Sequence, residues 1–282
     1  MNKIIYVSDY FLSDIIGGGE LNDHELCSLL IENGATINKV RSNLLNLEFL
    51  KNNKDSFFII SNFVNLNTDM IKFISSNLRY IIYEHDHKYL RSRNPAIYKN
   101  YLAPKTEIIN FDFYKNAVSV FCQSSFHKKI IYKNLNIENL HNVSGNLWSE
   151  DSINKMRKMN KQKKNDRFSI LKSNTKHKNT WETVSYCKNK QYDYDLISSS
   201  DYGHFLFLLG SNSKFIFLPK TPETLSRVCV EARMMGVTTV VNKNVGASYE
   251  PWFKSKGDEL IDTIVGKRKQ ITEKVLELAN GY

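Results

Sequence analysis

The chain has 282 residues, 41% hydrophobic and 12% aromatic, enough apolar mass for one large core or two ordinary ones and too much for a disordered chain. No apolar run approaches the about 20 residues that span a bilayer, and the N-terminal MNKIIYVSDYF lacks a signal peptide's apolar stretch and cleavage site. A cytoplasmic protein is therefore expected, in the host cytoplasm if viral. The formal net charge of +10 suits an acidic partner such as DNA, anionic lipid or a diphosphate. Yet the lysines are spread through an Asn-, Lys- and Ile-rich chain, and drift of composition explains them better.

In chain order, strands and helices alternate. Ile4–Ser8 is an apolar β run, and Leu21–Glu32 a helix ended by Asn33-Gly34. Phe57–Ser61 and Tyr80–Glu84 are short continuous apolar strands of the kind buried on both faces of a parallel sheet, with a helix over Thr68–Asn77 between them. Ala117–Gln123 is another strand, and Ser124–Lys133 a helix with serine at its start. Ser149–Asp166 is polar and basic, and reads as a linker or an exposed helix. The alternation then resumes with strands at Phe168–Leu171, Asp195–Ile197, Lys214–Leu218 and Val237–Val241. Helices are expected at Asn179–Lys188, Tyr202–Leu209 and Leu225–Met235, and Asp258–Leu278 as one or two helices broken near Gly266. This gives an α/β protein with domains at 1–148 and 167–265, a basic linker at 149–166 and a C-terminal helix at 266–282. Cys27, Cys122, Cys187 and Cys229 have neither CxxC spacing nor neighbouring histidines, so they read as reduced core thiols, and no metal is expected.

The most informative segment is KFIFLPKTPETLSRVCVEARMMGVTTVV: strand, proline-bearing loop, helix, glycine, strand. Ligands of open α/β sheets bind at the carboxyl ends of strands, and a helix N-terminus there presents unpaired N–H groups to phosphate. Glu223 and Glu231 lie eight positions apart, about 12 Å along a continuous helix, and so can bracket an elongated ligand. Equally, they suit an ordinary amphipathic helix. The letters around them decide for the first reading. Pro222–Ala232 resembles the E-P-F-G-R-V-x-x-E-A element, the E-x7-E motif of retaining GT-B glycosyltransferases of the group 1 and glycogen-synthase-like family. The two acids match Glu223 and Glu231, with Leu225 where the family has an aromatic and Ser226 where it has glycine.

The resemblance implies a GT-B fold, two facing Rossmann-like domains with a cleft between them. The donor would be a nucleoside diphosphate sugar held by the second domain, with the backbone of Thr224, Leu225 and Ser226 at the diphosphate and no separate cofactor. Lys178-Asn179 stands where the family has Lys-Gly, and Lys172 or Ser173 where it has arginine. Gly17-Gly18-Gly19-Glu20 is similar to the family's glycine-rich first loop, placing Gly18 and Gly19 at the donor, although a plain flexible turn reads almost as well. Glu84-His85-Asp86-His87 is similar to its acceptor-side His-Asp element. A metal there is disfavoured, because alternate residues of an extended strand point to opposite faces. The expected catalytic residues are His85, Asp86, Lys178 and Glu223. Ser173, Lys178, Glu223 and Glu231 are expected at the donor, and His87, Arg91 and Arg93 at the acceptor. The acceptor stays open among glycan, lipid and DNA. Three alternatives remain: a phage-type transferase acting on hydroxymethylated DNA bases, a nucleotide-sugar epimerase, and a non-catalytic nucleic-acid or glycan-binding module.

Overall fold

The structure is a computed structural model describing residues 3–281. In chain order its elements are β1 (Lys3–Ser8), α1 (Gly18–Glu32), β2 (Thr36–Arg41), α2 (Leu47–Asn52), β3 (Phe57–Ile60), α3 (Thr68–Asn77), β4 (Arg79–Tyr83), α4 (Phe111–Lys115), β5 (Ser119–Cys122), α5 (Ser125–Leu135) and β6 (Leu140–Asn142). They continue with α6 (Glu150–Asn160), β7 (Asn165–Leu171), α7 (Thr180–Asn189), β8 (Tyr194–Ile197), α8 (Tyr202–Gly210), β9 (Asn212–Phe217), α9 (Arg227–Met234), β10 (Thr238–Val241) and α10 (Asp258–Asn280). Two compact units result. The first comprises the described residues of Met1–Leu147 and Lys267–Tyr282, the second Trp148–Gly266. No helix among the described residues is long and apolar enough to cross a membrane.

The first unit holds a six-stranded parallel sheet in the order β2-β1-β3-β4-β5-β6. Its central strands β1, β3 and β4 carry uninterrupted apolar runs because both faces are covered. Ile5, Val7, Phe58, Ile60, Tyr80 and Ile82 enter one core, and the alternating Ile4, Tyr6, Phe57, Ile59, Ile81 and Tyr83 enter another. The strand order turns between β1 and β3, which makes their carboxyl ends the ligand-binding edge of a doubly wound sheet. The second unit repeats the logic with four parallel strands, β10-β9-β7-β8, turning between β7 and β9. Phe215 and Phe217 pack on one face, and Phe168, Ile170 and Ile216 on the other.

Two expectations are corrected. The polar stretch from residue 149 is no linker: Ser149 caps α6 through its side chain, and Ile153, Met156 and Met159 pack into the second unit's core. These apolar residues recur every three positions, a helical stripe masked by the lysines between them. Near Gly266 there is no break either. Helix α10 runs through it, and a side chain there would meet nothing within 4 Å, so one glycine lowers propensity by about 1 kcal/mol without ending a packed helix. The four cysteines are buried and unpaired, and burial pushes the thiols of Cys27 and Cys229 up to about 12.

Candidate functional site

In the second unit the chain leaving β7 and β9 meets at the turn in strand order. Lys178 Nζ lies 2.9 Å from both Glu223 oxygens, a forked ion pair, and 5.7 Å from the Phe217 ring centre. Backbone and amide bonds stitch the loops around it. Asn179 Nδ2 donates to the Leu218 carbonyl, and the Lys220 amide to the His177 carbonyl. The side chains of Asn242 and Asn244 both donate to the Pro219 carbonyl. Glu223 is extended there, giving its N–H to Asn244 O at 2.7 Å and accepting from Gly246 N–H at 2.9 Å in a one-residue parallel bridge with the chain after β10. Three strand ends thereby hold the Glu223 and Lys178 side chains over the sheet's carboxyl edge.

Two backbone positions account for the sequence's departures from glycine. Asn179, the N-cap of α7, has φ of 63°, and asparagine is among the few residues that enter this left-handed region readily. Ser226, the N-cap of α9, has φ of 77°. Glycine takes that conformation without strain; serine carries a Cβ there. The Ser226 hydroxyl donates to Cys229 Sγ at 3.3 Å. Thr224 is half-buried beside Glu223, whereas the Leu225 side chain is buried in the core and meets the site only through its backbone, its carbonyl accepting from Ala247 N–H. Ser173 lies in the loop after β7, where its amide donates to Thr180 Oγ1. Lys172, beside the family's arginine position, is exposed.

Glu231 differs from expectation. It is 2% exposed, and one carboxylate oxygen accepts from Trp148 Nε1 at 2.8 Å and from the Tyr202 hydroxyl at 2.7 Å, with Arg227 Nε 3.5 Å away. The Arg227 guanidinium in turn lies 4.4 Å from the centre of the Trp148 ring. A carboxylate enclosed by protein donors braces α9 and is not presented to a ribose. Trp148 and Tyr202 escape notice in sequence because nothing near them in the chain marks them as partners.

In the first unit the end of β4 sorts its four polar residues by direction. His85 turns toward the β1/β3 edge: its Nε2 is 2.7 Å from Asp23 Oδ1, and Gln123 Nε2 donates to its Nδ1 at 2.5 Å. Burial acts to raise the Asp23 carboxyl, but His85 and the hydroxyls of Ser61 and Tyr6 outweigh it and hold that carboxyl below its ordinary value. Gly18 opens α1, and a side chain at Gly19 would sit 3.6 Å from the His85 ring, so the glycine turn does lie beside this histidine. Glu84 is fully buried, accepting from the Asp86 amide, the Lys88 ammonium and the Tyr114 hydroxyl, and burial raises its carboxyl. Asp86, half exposed, lies 3.7 Å from Lys88 and 3.4 Å from Arg93. Arg91 is exposed, as is Arg93.

His87 is also corrected. It faces inward, buried between Tyr89, whose hydroxyl is 3.3 Å from Nδ1, and His127, edge-on at 5.1 Å. Burial lowers it to about 4, which keeps it neutral, and at 2% exposure it presents almost no surface to an acceptor. Asp23 and Gln123, which hold His85, and Ser61, which holds Asp23, are neighbours that sequence reading misses. Their one signal is a polar residue on the inner face of an otherwise apolar helix or at a strand end. Among the described residues no group of three or more His, Cys, Asp or Glu side chains is arranged to hold a metal ion.

No protein-family model and no curated protein sequence matches this chain. Solved structures match it over its whole length. Sucrose-phosphate synthase from Thermosynechococcus elongatus superposes with a TM-score of 0.65 at 7% identity, covering 100% of both chains. The catalytic domain of starch synthase IV from Arabidopsis thaliana, bound to ADP and acarbose, gives 0.57 at 8% identity, covering 99% of this chain and 94% of that one. An alpha-glucosyltransferase in complex with UDP and a 13-mer DNA containing a HMU base gives 0.55 at 12% identity, with 99% and 92% covered. The fold is therefore GT-B, an α/β architecture with two parallel sheets.

Proposed function

We propose that the chain is a glycosyltransferase that moves a sugar from a nucleoside diphosphate sugar to an acceptor with retention of anomeric configuration. The observation that carries this reading is the Lys178–Glu223 pair at the turn of the second sheet, beside the N-terminus of α9 and between two left-handed cap residues. Without donor, the ammonium and the carboxylate satisfy each other. An arriving diphosphate competes for Lys178, and the first-turn N–H groups of α9 add to the cation in opposing its charge. Glu223, released, accepts from hydroxyls of the sugar. The bond from the anomeric carbon to the diphosphate oxygen breaks while the bond to the acceptor oxygen forms on the same face, and the acceptor proton passes to the leaving diphosphate. No separate cofactor and no protein nucleophile enter this scheme. His85, fixed by Asp23 and Gln123, and the half-exposed Asp86 are assigned to the acceptor side, with Arg93 beside Asp86 and the exposed Arg91 two residues before Arg93 in the chain. Four buried, unpaired thiols suit the reducing cytoplasm.

The test is incubation with UDP-, GDP- and ADP-sugars, with DNA carrying hydroxymethylated bases, a glycan and a lipid as acceptor arms. Nucleoside diphosphate release that Glu223→Ala abolishes is expected. Failure to bind any nucleotide sugar overturns the proposal, and a changed sugar stereocentre in NMR of donor alone replaces transfer with epimerisation. Calorimetry that finds DNA or glycan bound and nucleotide not bound replaces it with a binding module.

A further inference from the structure

The surplus charge of the chain is concentrated. Between His87 and Ile137 there are nine lysines and arginines against two acids, Glu107 and Asp112, on a chain of net charge +10. The fold sets the loop after β4 against α5. Lys133 Nζ donates to the Asn100 carbonyl and Asn134 Nδ2 to the Tyr101 carbonyl, both at 2.8 Å, and the Ala103 amide donates to Asn134 Oδ1 at 2.9 Å. Tyr101 stands edge-on to Phe126, 5.7 Å between ring centres. Phe126, Ile130, Ile131 and Leu135 face inward, which turns Lys129, Tyr132 and Lys133 of α5 outward beside the loop. The ion pairs of this region are those of Lys88 with Glu84 and Asp86, and of Arg93 with Asp86. Arg91, Lys99, Lys105, Lys128, Lys129 and Lys133 take part in none among the described residues, and all but the half-buried Lys128 are exposed. Of the two acids, Glu107 accepts from the Tyr98 hydroxyl at 3.3 Å, and Asp112 shares α4 with Lys115. Six cations therefore remain unmatched after every ion pair is counted.

The chemistry of this face selects its occupant. A neutral glycan presents hydroxyls, for which carboxylates and amides are the matching partners, and the charge of an ammonium group is wasted on it. A bilayer rewards a continuous aliphatic face. Here the exposed aliphatics, Ile97 and Leu102, are single residues five positions apart, as on any surface. A phosphodiester backbone uses each cation, and Asn100, Tyr132 and Asn136, exposed among the lysines, are side chains of the kind that bond phosphate and sugar oxygens. The face begins where the acceptor side begins. Arg93 lies 3.4 Å from the half-exposed Asp86, whose carbonyl accepts from His127 of α5 at 2.9 Å. A strand held along the loop and α5 thus runs to the edge of the sheet where His85 and Asp86 stand.

We propose that this face binds the phosphodiester backbone of a nucleic acid, and that this nucleic acid is the acceptor of the transfer. The second half rests on the transfer reading above; the first does not. Fluorescence anisotropy of a labelled DNA duplex with the full chain, and with no nucleotide sugar present, tests the face by itself. Six phosphate contacts give an affinity that falls on the order of a thousandfold between about 50 and 200 mM salt. Lys99→Ala with Lys129→Ala weakens binding at low salt by about tenfold or more and lowers the salt slope by about two. Lys188→Ala with Lys190→Ala, exposed lysines of the second unit, binds as wild type. Both double variants keep the wild-type melting temperature, and Lys129→Ala alone serves if the first does not fold. Absence of DNA binding, binding that ignores salt, or equal losses in the two double variants overturns the face, as does binding to phosphatidylglycerol vesicles in place of DNA. With nucleotide sugar added, sugar is expected on DNA carrying hydroxymethylated bases, whose hydroxyl accepts it, and Lys99→Ala with Lys129→Ala raises the KM for that DNA. Transfer to a glycan or lipid and not to DNA overturns the acceptor role. Failure to bind any nucleotide sugar removes the transfer and leaves duplex binding standing, so the two failures are told apart.

Discussion

Ser226 offers the sharpest test of the loop proposed to hold the donor. Its φ of 77° places a Cβ-bearing residue where the left-handed conformation costs about 1–2 kcal/mol. Ser226→Gly removes that cost, loses the weak hydroxyl–thiol bond to Cys229, and gives the unfolded chain extra freedom worth about 0.5–1 kcal/mol. Ser226→Ala loses the same bond and keeps the strain. In a relaxed helical position alanine exceeds glycine by about 1 kcal/mol; at residue 226 the order inverts, with glycine more stable than alanine by about 1 kcal/mol. Urea unfolding of the three proteins measures the order. Removing the Cβ also opens the approach to the amides beside α9, so on the proposed mechanism Ser226→Gly binds nucleoside diphosphate at least as tightly as wild type, read by calorimetry. An alanine variant as stable as the glycine variant refutes the strain argument.

Lys178→Ala leaves the largely buried Glu223 carboxylate without its cation, a loss of about 1–2 kcal/mol in denaturant unfolding. On the proposed mechanism it also weakens donor binding by at least tenfold in calorimetry. His87 is depressed from 6.5 to about 4, so between those values the unfolded chain binds a proton the folded chain refuses. Its contribution is therefore complete above pH 6.5 and falls away as pH drops toward 4, about 3 kcal/mol in all. Unfolding free energies of wild type and His87→Gln against pH should converge over that window; parallel curves contradict it. Trp148→Phe keeps the ring under Arg227 but removes the indole donor to Glu231, and thermal unfolding should report a loss of about 1.5–3 kcal/mol.

The central strands are legible in sequence because burial on both faces writes an uninterrupted apolar run, as in Phe57–Ile60 and Tyr80–Tyr83. The edge strands of the first sheet are not. β2, reading TINKVR, alternates partly exposed residues, and β6 has only Leu140–Asn142. Helix α6 hides behind its lysines, and α10 behind a glycine that packing tolerates. At the site, Lys178, Glu223 and the two left-handed caps follow from local letters and adjoin in space. Glu231 and His87 do not follow, because whether a polar side chain faces outward depends on distant residues: Trp148 and Tyr202 for the first, Tyr89 and His127 for the second.

The buried cysteines also make the protein its own reporter. With thiols pushed up to about 12, Cys27 behind β1 and Cys229 beneath Ser226 are slow to meet an alkylating reagent while the fold is closed. Cys27 belongs to the first unit and Cys229 to the second, and Cys229 lies directly under Ser226, the N-cap of α9. The alkylation rate at each thiol therefore clocks the opening of its own unit, and a ligand that clamps α9 announces itself as protection of Cys229 with Cys27 unchanged.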